Sequence, residues 1–290
     1  MRLSHIILTI VVMAIWGFSF IAFEEGLLDM PPLLLSCCRF FFTSIPAIFF
    51  IKKPNTSWLI IASYGLCMFA LMSSFTFFSM NAGITAGLAA LLIQSQAFFT
   101  ILLSVIFFKE KINNWQIIGS IISFSSLGVI GIHVGGELTL LGFILIIAAA
   151  FSRAVANLIS KQAGDVNMLA LIVWGSLFSW PPLLAFSFLF EGGDKIFFSL
   201  QNIRPITIAA LIYMIYPATL LGFSIWAWLL NRYHAATIAP FSLLIPFFGI
   251  LSSMIIFNEP LQTWKIVAII LMVGGLCINL LGPRFKITLK

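Results

Sequence analysis

Charge is what this sequence has least of. Asp and Glu total 9 and Lys and Arg 15 in 290 residues, so 8% of the chain is charged against 61% hydrophobic. A water-soluble globule carries about a quarter charged residues. The soluble class is therefore excluded, and lipid is the solvent for which this chain is built. Chemistry-bearing side chains are equally scarce. The three histidines, His5, His133 and His234, fall at the ends of apolar runs and are expected to face water. Cys37, Cys38, Cys67 and Cys277 fall inside such runs without metal-ligand spacing. Catalysis needs a convergent nucleophile, metal or acid–base cluster. No such grouping can be drawn from these residues, so no catalytic residue, metal or cofactor is expected. Segments suggestive of an ion filter or a charged pore ring are missing too, which points away from a channel. Long polar loops are also lacking, leaving no room for a receptor or catalytic domain outside the bilayer.

What the chain does have is apolar runs of about 20 residues, the length that crosses a hydrocarbon core. They predict ten helices, at 4–23, 33–51, 57–79, 83–108, 114–132, 140–160, 168–190, 206–230, 235–257 and 263–282. The first run is long for a signal peptide and ends in Phe23-Glu24-Glu25 rather than small residues, so it reads as a retained span. With the N-terminus inside, the inner loops and termini hold Arg2, Lys52, Lys53, Lys109, Lys111, Lys161, Arg232, Arg284, Lys286 and Lys290. The outer loops hold Lys195, Arg204 and Lys265 together with seven acidic residues, Glu24, Glu25, Asp29, Glu137, Glu191, Asp194 and Glu259. Basic residues accumulate on the cytoplasmic side, so both termini are expected there. The net charge of +6 then reports topology and contact with anionic lipid headgroups. It does not imply nucleic acid.

The runs also repeat. Ala86-Gly-Leu-Ala-Ala90, Phe98-Phe99, Ser104, Phe108, Glu110 and Trp115 recur 149 positions later as Ala235-Ala-Thr-Ile-Ala239, Phe247-Phe248, Ser253, Phe257, Glu259 and Trp264. Five helices per copy is an odd number, so the second copy must be inverted in the bilayer. Inverted repeats are an architecture of secondary transporters. The expected organisation is a first repeat over 1–132, an inverted second repeat over 140–282 and a cytoplasmic tail over 283–290. The fold class is thus all-α integral membrane, with ten transmembrane helices in two inverted five-helix repeats.

Candidate site residues are polar groups at depth, where charge is costly. Arg153 lies near the middle of the sixth run, and with Asn157 and Ser160 it makes a polar stripe at i, i+4, i+7. Arg39 lies about 9 Å from the end of the second run, counting 1.5 Å per residue, and forms a weaker stripe with Ser36 and Thr43. The nearest acidic groups are Glu24 and Glu25. Gln94 and Gln96 are two apart, so only one can face a central cavity. Their repeat equivalents are Leu243 and Ile245, which gives the glutamines to one half alone. Pro240 and Pro246 interrupt the ninth run where the fourth has Leu91 and Ala97, and broken helices at a repeat interface point to a binding site. Trp16, Ser19, Phe20 and Phe23 share one face of the first helix, and Trp226 and Tyr233 one face of the eighth. The spacings Gly83-x-x-x-Gly87 and Ala86-x-x-x-Ala90 suit close helix approach.

Several segments resemble EamA-type carriers of the drug/metabolite transporter superfamily. They are Ala14-Ile-Trp-Gly-Phe-Ser-Phe20, Met30-Pro-Pro-Leu33 with Arg39-Phe40, Pro46-Ala-Ile-Phe-Phe50, the run from Ala86 to Ile101, Ala148-Ala-Ala-Phe-Ser152 and Ala239-Pro-Phe-Ser-Leu-Leu-Ile-Pro246. They span essentially the whole chain and look most like the O-acetylserine/cysteine exporter branch of the bacterial inner membrane. The resemblance implies a multi-pass inner-membrane carrier that exports small amino-acid-like metabolites by alternating access through a central cavity. On matching positions the cavity residues are Trp16, Ser19, Gln94, Gln96, Asn157, Trp226, Ser242 and Pro246. Three positions depart from the family pattern: Ser19 replaces an Asn, Glu24 a Lys, and Arg153 an aromatic. Arg153 therefore joins the binding set, with Glu24 and Arg39 as charge partners, so that a zwitterion could place its carboxylate on Arg153 and its ammonium toward Glu24. Expected partners are a small-molecule metabolite and the lipid bilayer, with protons one option as coupling ion and a monomer or weak homodimer as the assembly. A nucleobase, an aromatic amino acid, a cationic drug or a phosphorylated headgroup as cargo, and uptake as direction, stay open.

Overall fold

A computed structural model describes residues 1–84, 89, 91–134, 139–257 and 263–282. The Ala86–Ala90 repeat segment (apart from Ala89), Glu137, the Asn258-Glu-Pro260 loop and the 283–290 tail lie outside the described residues. So do the Gly87 and Ala86/Ala90 members of the small-residue spacings and the side chains of His133 and Lys265.

Every described secondary-structure element is helical. The reason is solvation: hydrocarbon cannot hydrogen-bond to peptide groups, and a helix satisfies them within one segment. The helices are α1 Leu3–Leu27, α2 Pro32–Phe49, α3 Trp58–Asn81, α4 Ile93–Phe108, α5 Asn114–Val134, α6 Leu140–Gln162, α7 Met168–Glu191, the short α8 Gly193–Gln201 and α9 Pro205–Arg232. Then come α10, built from Ala235–Ile238, Ala239–Leu243 and Leu244–Phe257, and α11, Thr263–Leu281. Six of the ten expected spans, α1, α2, α3, α6, α7 and α9, are long and apolar enough to cross a membrane. Among the described residues, helices α4, α5, α10 and α11 fall within the stretches expected as the other four. Helix α8 falls in what reads as a loop. It buries Ile196 and Ser199 and exposes Phe197, Phe198 and Leu200, the distribution of a helix lying along an interface.

Among the described residues, close approach is made by glycines at two helix crossings. A Cβ on Gly65 of α3 would lie 1.9 Å from the Gly175 carbonyl oxygen of α7, and one on Gly275 of α11 would lie 2.5 Å from the Ser123 nitrogen of α5. No side chain fits at either crossing.

Departures from regular α-geometry recur at the offset of the sequence repeat. The π-helical turn Leu66–Leu71 of α3 maps by 149 positions into the π-helical Met214–Phe223 of α9, which contains Pro217. The 3₁₀ turn Ile93–Ser95 that opens α4 maps onto 242–244, overlapping the 3₁₀ stretch Ala239–Leu243 of α10. Neighbours follow the same exchange: α1 packs on α10 and α9 as α6 packs on α4 and α3, while α2 meets α7 and α5 meets α11.

Buried carboxylates cap helix starts at the two ends of the bundle. Glu110 pairs with Lys161 and accepts from the Ala235 backbone N–H of α10 at 2.9 Å. Glu191 accepts from the Leu33 and Leu34 N–H groups of α2 at 2.7 and 3.1 Å and from Ser187 at 2.6 Å. Each carboxylate meets otherwise unpaired N–H groups and the positive end of a helix dipole. His5, expected to face water, is partly exposed, and its Nδ1 lies 2.6 Å from the Tyr233 hydroxyl. That contact ties the start of α1 to the end of α9 and places Tyr233 at the helix ends, away from Trp226.

Candidate functional site

The polar stripe of α6 faces inward, as its spacing predicts, because lipid offers its polar atoms nothing. Arg153, Asn157 and Ser160 are all buried. Around Asn157 a closed network forms. Its amide Nδ2 donates to Gln96 Oε1 at 3.0 Å and Thr100 Oγ1 at 3.1 Å, and its Oδ1 accepts from Trp226 Nε1 at 3.1 Å. Gln96 Nε2 donates onward to Ser242 Oγ at 2.9 Å, and Ser242 donates to the Ala239 carbonyl at 2.9 Å. Gln96, Asn157, Trp226 and Ser242 are at most 1% exposed. The network thus joins α4, α6, α9 and α10; Gln96 follows directly on the 3₁₀ turn of α4, and Ser242 lies within that of α10. Ala239 and Ser242 belong to the stretch opened by Pro240, so that proline sits where the helix bends toward the cluster.

One turn along α6 the chemistry changes. The Arg153 guanidinium stands over the Trp16 ring at 5.0 Å and the Phe223 ring at 5.7 Å. Trp16 in turn packs on Phe223 and Trp226, with centroids 4.9 and 5.5 Å away, and its Nε1 donates to the Ala218 carbonyl at 2.9 Å. That carbonyl lies in the π-helical stretch of α9. Among the described residues Arg153 makes no hydrogen bond or ion pair, and its buried Nε is unpartnered. Tyr64 Oη, fully buried nearby on α3, is unpartnered too.

The structure brings together Trp16, Gln96, Arg153, Asn157, Trp226 and Ser242, and sets the other expected site residues apart. Ser19 donates to the Ile15 carbonyl of its own helix at 2.8 Å, the usual behaviour of a helical serine. Gln94 is 1% exposed with its Oε1 unpartnered, so of the two glutamines it is Gln96 that enters the network. Pro246 is half-buried beyond the 3₁₀ break of α10 and adds no polar contact. Glu24 is exposed at the far end of α1, about 12 Å from Trp16 at 1.5 Å per residue, and joins no ion pair among the described residues. Arg39 pairs with a hydroxyl instead of a carboxylate, donating from Nε to Thr219 Oγ1 at 2.7 Å. A zwitterion bridge from Arg153 to Glu24 accordingly has no geometric support here.

Tyr64, Thr100, Thr219 and Phe223 are members that sequence reading passes over. Thr100 had a readable signal, one turn after Gln96. The other three are ordinary residues in apolar runs, and the π-turns of α3 and α9 shift the helix register around them. A groove of about 280 Å³ lies elsewhere, between α1 and α9, lined by Phe18, Ile21, Glu25, Ile206 and Tyr213.

This assembly, discontinuous helices meeting at buried polar and aromatic residues within an all-helical apolar bundle, is that of a membrane carrier. The chain belongs to the EamA-like transporter family, which matches residues 3–132 and again 140–281. It is 36% identical to the "Probable amino-acid metabolite efflux pump" of Salmonella typhimurium, covering 98% of this chain and 97% of that protein. Its identity to the protein of the same name in Escherichia coli K12 is 34%, with 98% and 97% covered. A crystal structure with 17% identity superposes with a TM-score of 0.82 over 98% of this chain and 99% of the other, which establishes the likeness of fold. The protein is a multi-pass membrane transporter and not an enzyme.

Proposed function

We propose that this carrier exports small amino-acid-like metabolites of the O-acetylserine/cysteine type across the bacterial inner membrane, with both termini in the cytoplasm. In this reading the site is the layer around Trp16, Arg153, Asn157 and Trp226, floored by Gln96 and Ser242. The two matched stretches are inverted five-helix halves that rock about it. The observation carrying the proposal is the meeting of α4, α6, α9 and α10 at Gln96, Asn157, Trp226 and Ser242, which draws on both halves at their helix breaks. The recurrence of π and 3₁₀ turns at the repeat offset supports the inverted arrangement, and the full-length relatives named as amino-acid metabolite efflux pumps support cargo and direction. The repeat-related hinges then allow one half to adopt the shape of the other, which is how an inverted repeat alternates access.

Counterflow in proteoliposomes tests this. Labelled O-acetylserine, cysteine and other amino acids should exchange and nucleobases should not. An imposed pH gradient shows whether protons are the coupling ion. Exchange of nucleobases without amino acids would overturn the reading.

A further inference from the structure

Among the described residues the carboxylates set into the protein each meet partners, whereas two arginines inside the helix bundle meet no counter-charge. Glu110 has Lys161, Glu191 has three donors, and Asp29 has Arg204 and Thr207. Arg153, only 8% exposed, has none of these, and Arg39 has a neutral hydroxyl. The two guanidinium groups are within electrostatic reach of each other, and Tyr64 is within reach of Arg153. One aromatic wall runs between them. Arg153 stands over Phe223, Phe223 packs on Phe69 at 5.4 Å, Phe69 stacks on Phe40 at 4.5 Å, and Arg39 stands over Phe40 at 5.4 Å. The ring of Tyr64 closes on Phe69 at 5.8 Å, with its hydroxyl unpartnered.

Two like charges in an apolar environment without counter-charge are unfavourable. Aromatic faces offset part of this but neutralise nothing. A cation is repelled here, and a zwitterion supplies one carboxylate to two guanidinium groups. We propose that Arg153, Arg39 and Tyr64 form a receptor for two acidic groups, so that the favoured cargo is a dicarboxylic amino-acid metabolite. This rests on the reading that the carrier takes amino-acid metabolites. Arg153 presents free N–H groups and Tyr64 a free hydroxyl to one carboxylate, in charge-assisted hydrogen bonds of the strong kind. Arg39, whose Nε is held by Thr219, presents its remaining N–H groups to the other.

The test is a binding series on the purified full-length protein in nanodiscs, by calorimetry and by tryptophan fluorescence, since Trp16 and Trp226 flank the site. The probes are aspartate, glutamate, O-acetylserine, cysteine, lysine and a nucleobase. The acidic pair should bind about ten-fold or more tighter than the neutral pair, with lysine weakest. Arg39→Gln should bring the acidic pair down to the level of the neutral pair, and Arg153→Gln should weaken both pairs. The wild-type series decides the matter even where a variant fails to fold. Equal binding of acidic and neutral amino acids, or tighter binding of lysine, would overturn the two-acid receptor while leaving amino-acid export standing. Binding of the nucleobase without any amino acid would overturn both.

Discussion

Asn157 and Arg153 sit one turn apart on α6, both buried, yet their surroundings have opposite character. Asn157 uses both donor and acceptor, on helices α4 and α9. Arg153 has aromatic faces and no hydrogen-bond partner among the described residues. A saturated polar network fixes helices in one arrangement, because every bond lost leaves a buried group unpaired. An unsaturated charge does the reverse, and lowers its free energy when a ligand arrives. The contrast separates residues that hold the bundle from residues that await cargo, on a stretch of helix that reads as one uniform stripe.

The comparison predicts how variants divide. Asn157→Leu should have the largest effect on stability, stranding Trp226 Nε1 and taking from Gln96 Oε1 its closest donor, at about 1–3 kcal/mol for each stranded group. A fall in melting temperature by several degrees in detergent checks this, and an unchanged value would mean that the network holds nothing. Trp16→Phe removes the hydrogen bond to the Ala218 carbonyl while keeping an aromatic face for Arg153. Its expected cost is about 1 kcal/mol, with ligand binding kept in weakened form. Ser242→Ala deletes a terminal member of the network and should cost about 0.6 kcal/mol, with exchange continuing. Complete loss of exchange in this variant would move Ser242 from the floor to the binding surface.

The smallest effect lies outside the bilayer, where Asp29 is held below the usual carboxylate range first by the Thr207 hydroxyl, with desolvation opposing it and the smaller contributions of Arg204 adding to it. A depressed value in the folded protein means that the contribution is in place above the unfolded value near 3.8 and is lost as pH falls through the lower, folded one. Melting temperature followed from pH 6 to pH 2 should therefore decline at the acid end. Asp29→Asn should remove that part of the decline and leave ligand binding at pH 7 unchanged.

How far all this could be read in advance differs between the two layers. The inward stripe of α6, the divergence of Gln94 and Gln96 and the break at Pro240 follow from periodicity and proline chemistry, which are local; which glutamine enters the network does not. Trp226 was flagged by its place on one face of the eighth helix, and Ser242 came through family likeness. Tyr64, Thr219 and Phe223 were not legible, since a π-turn changes which residues share a face and leaves no mark in composition. The 3₁₀ turn at Ile93–Ser95 contains no proline and carried no warning either. Helix α8 was hidden by its shortness, and the caps by Glu110 and Glu191 by distance along the chain. Ser19 was drawn into the site by its shared face with Trp16 and by family position, and Glu24 by its departure from relatives; in the structure Ser19 bonds to its own helix and Glu24 lies at the surface.

The most direct test of the central claim is the thermal stability of Arg153→Met, measured beside the parent protein with and without saturating aspartate. A charge that awaits cargo predicts a ligand-free melting temperature equal to or above that of the parent, together with loss of the shift that aspartate gives the parent. A fall comparable to that of Asn157→Leu, with the aspartate shift retained, would contradict it and make Arg153 one more member of the scaffold.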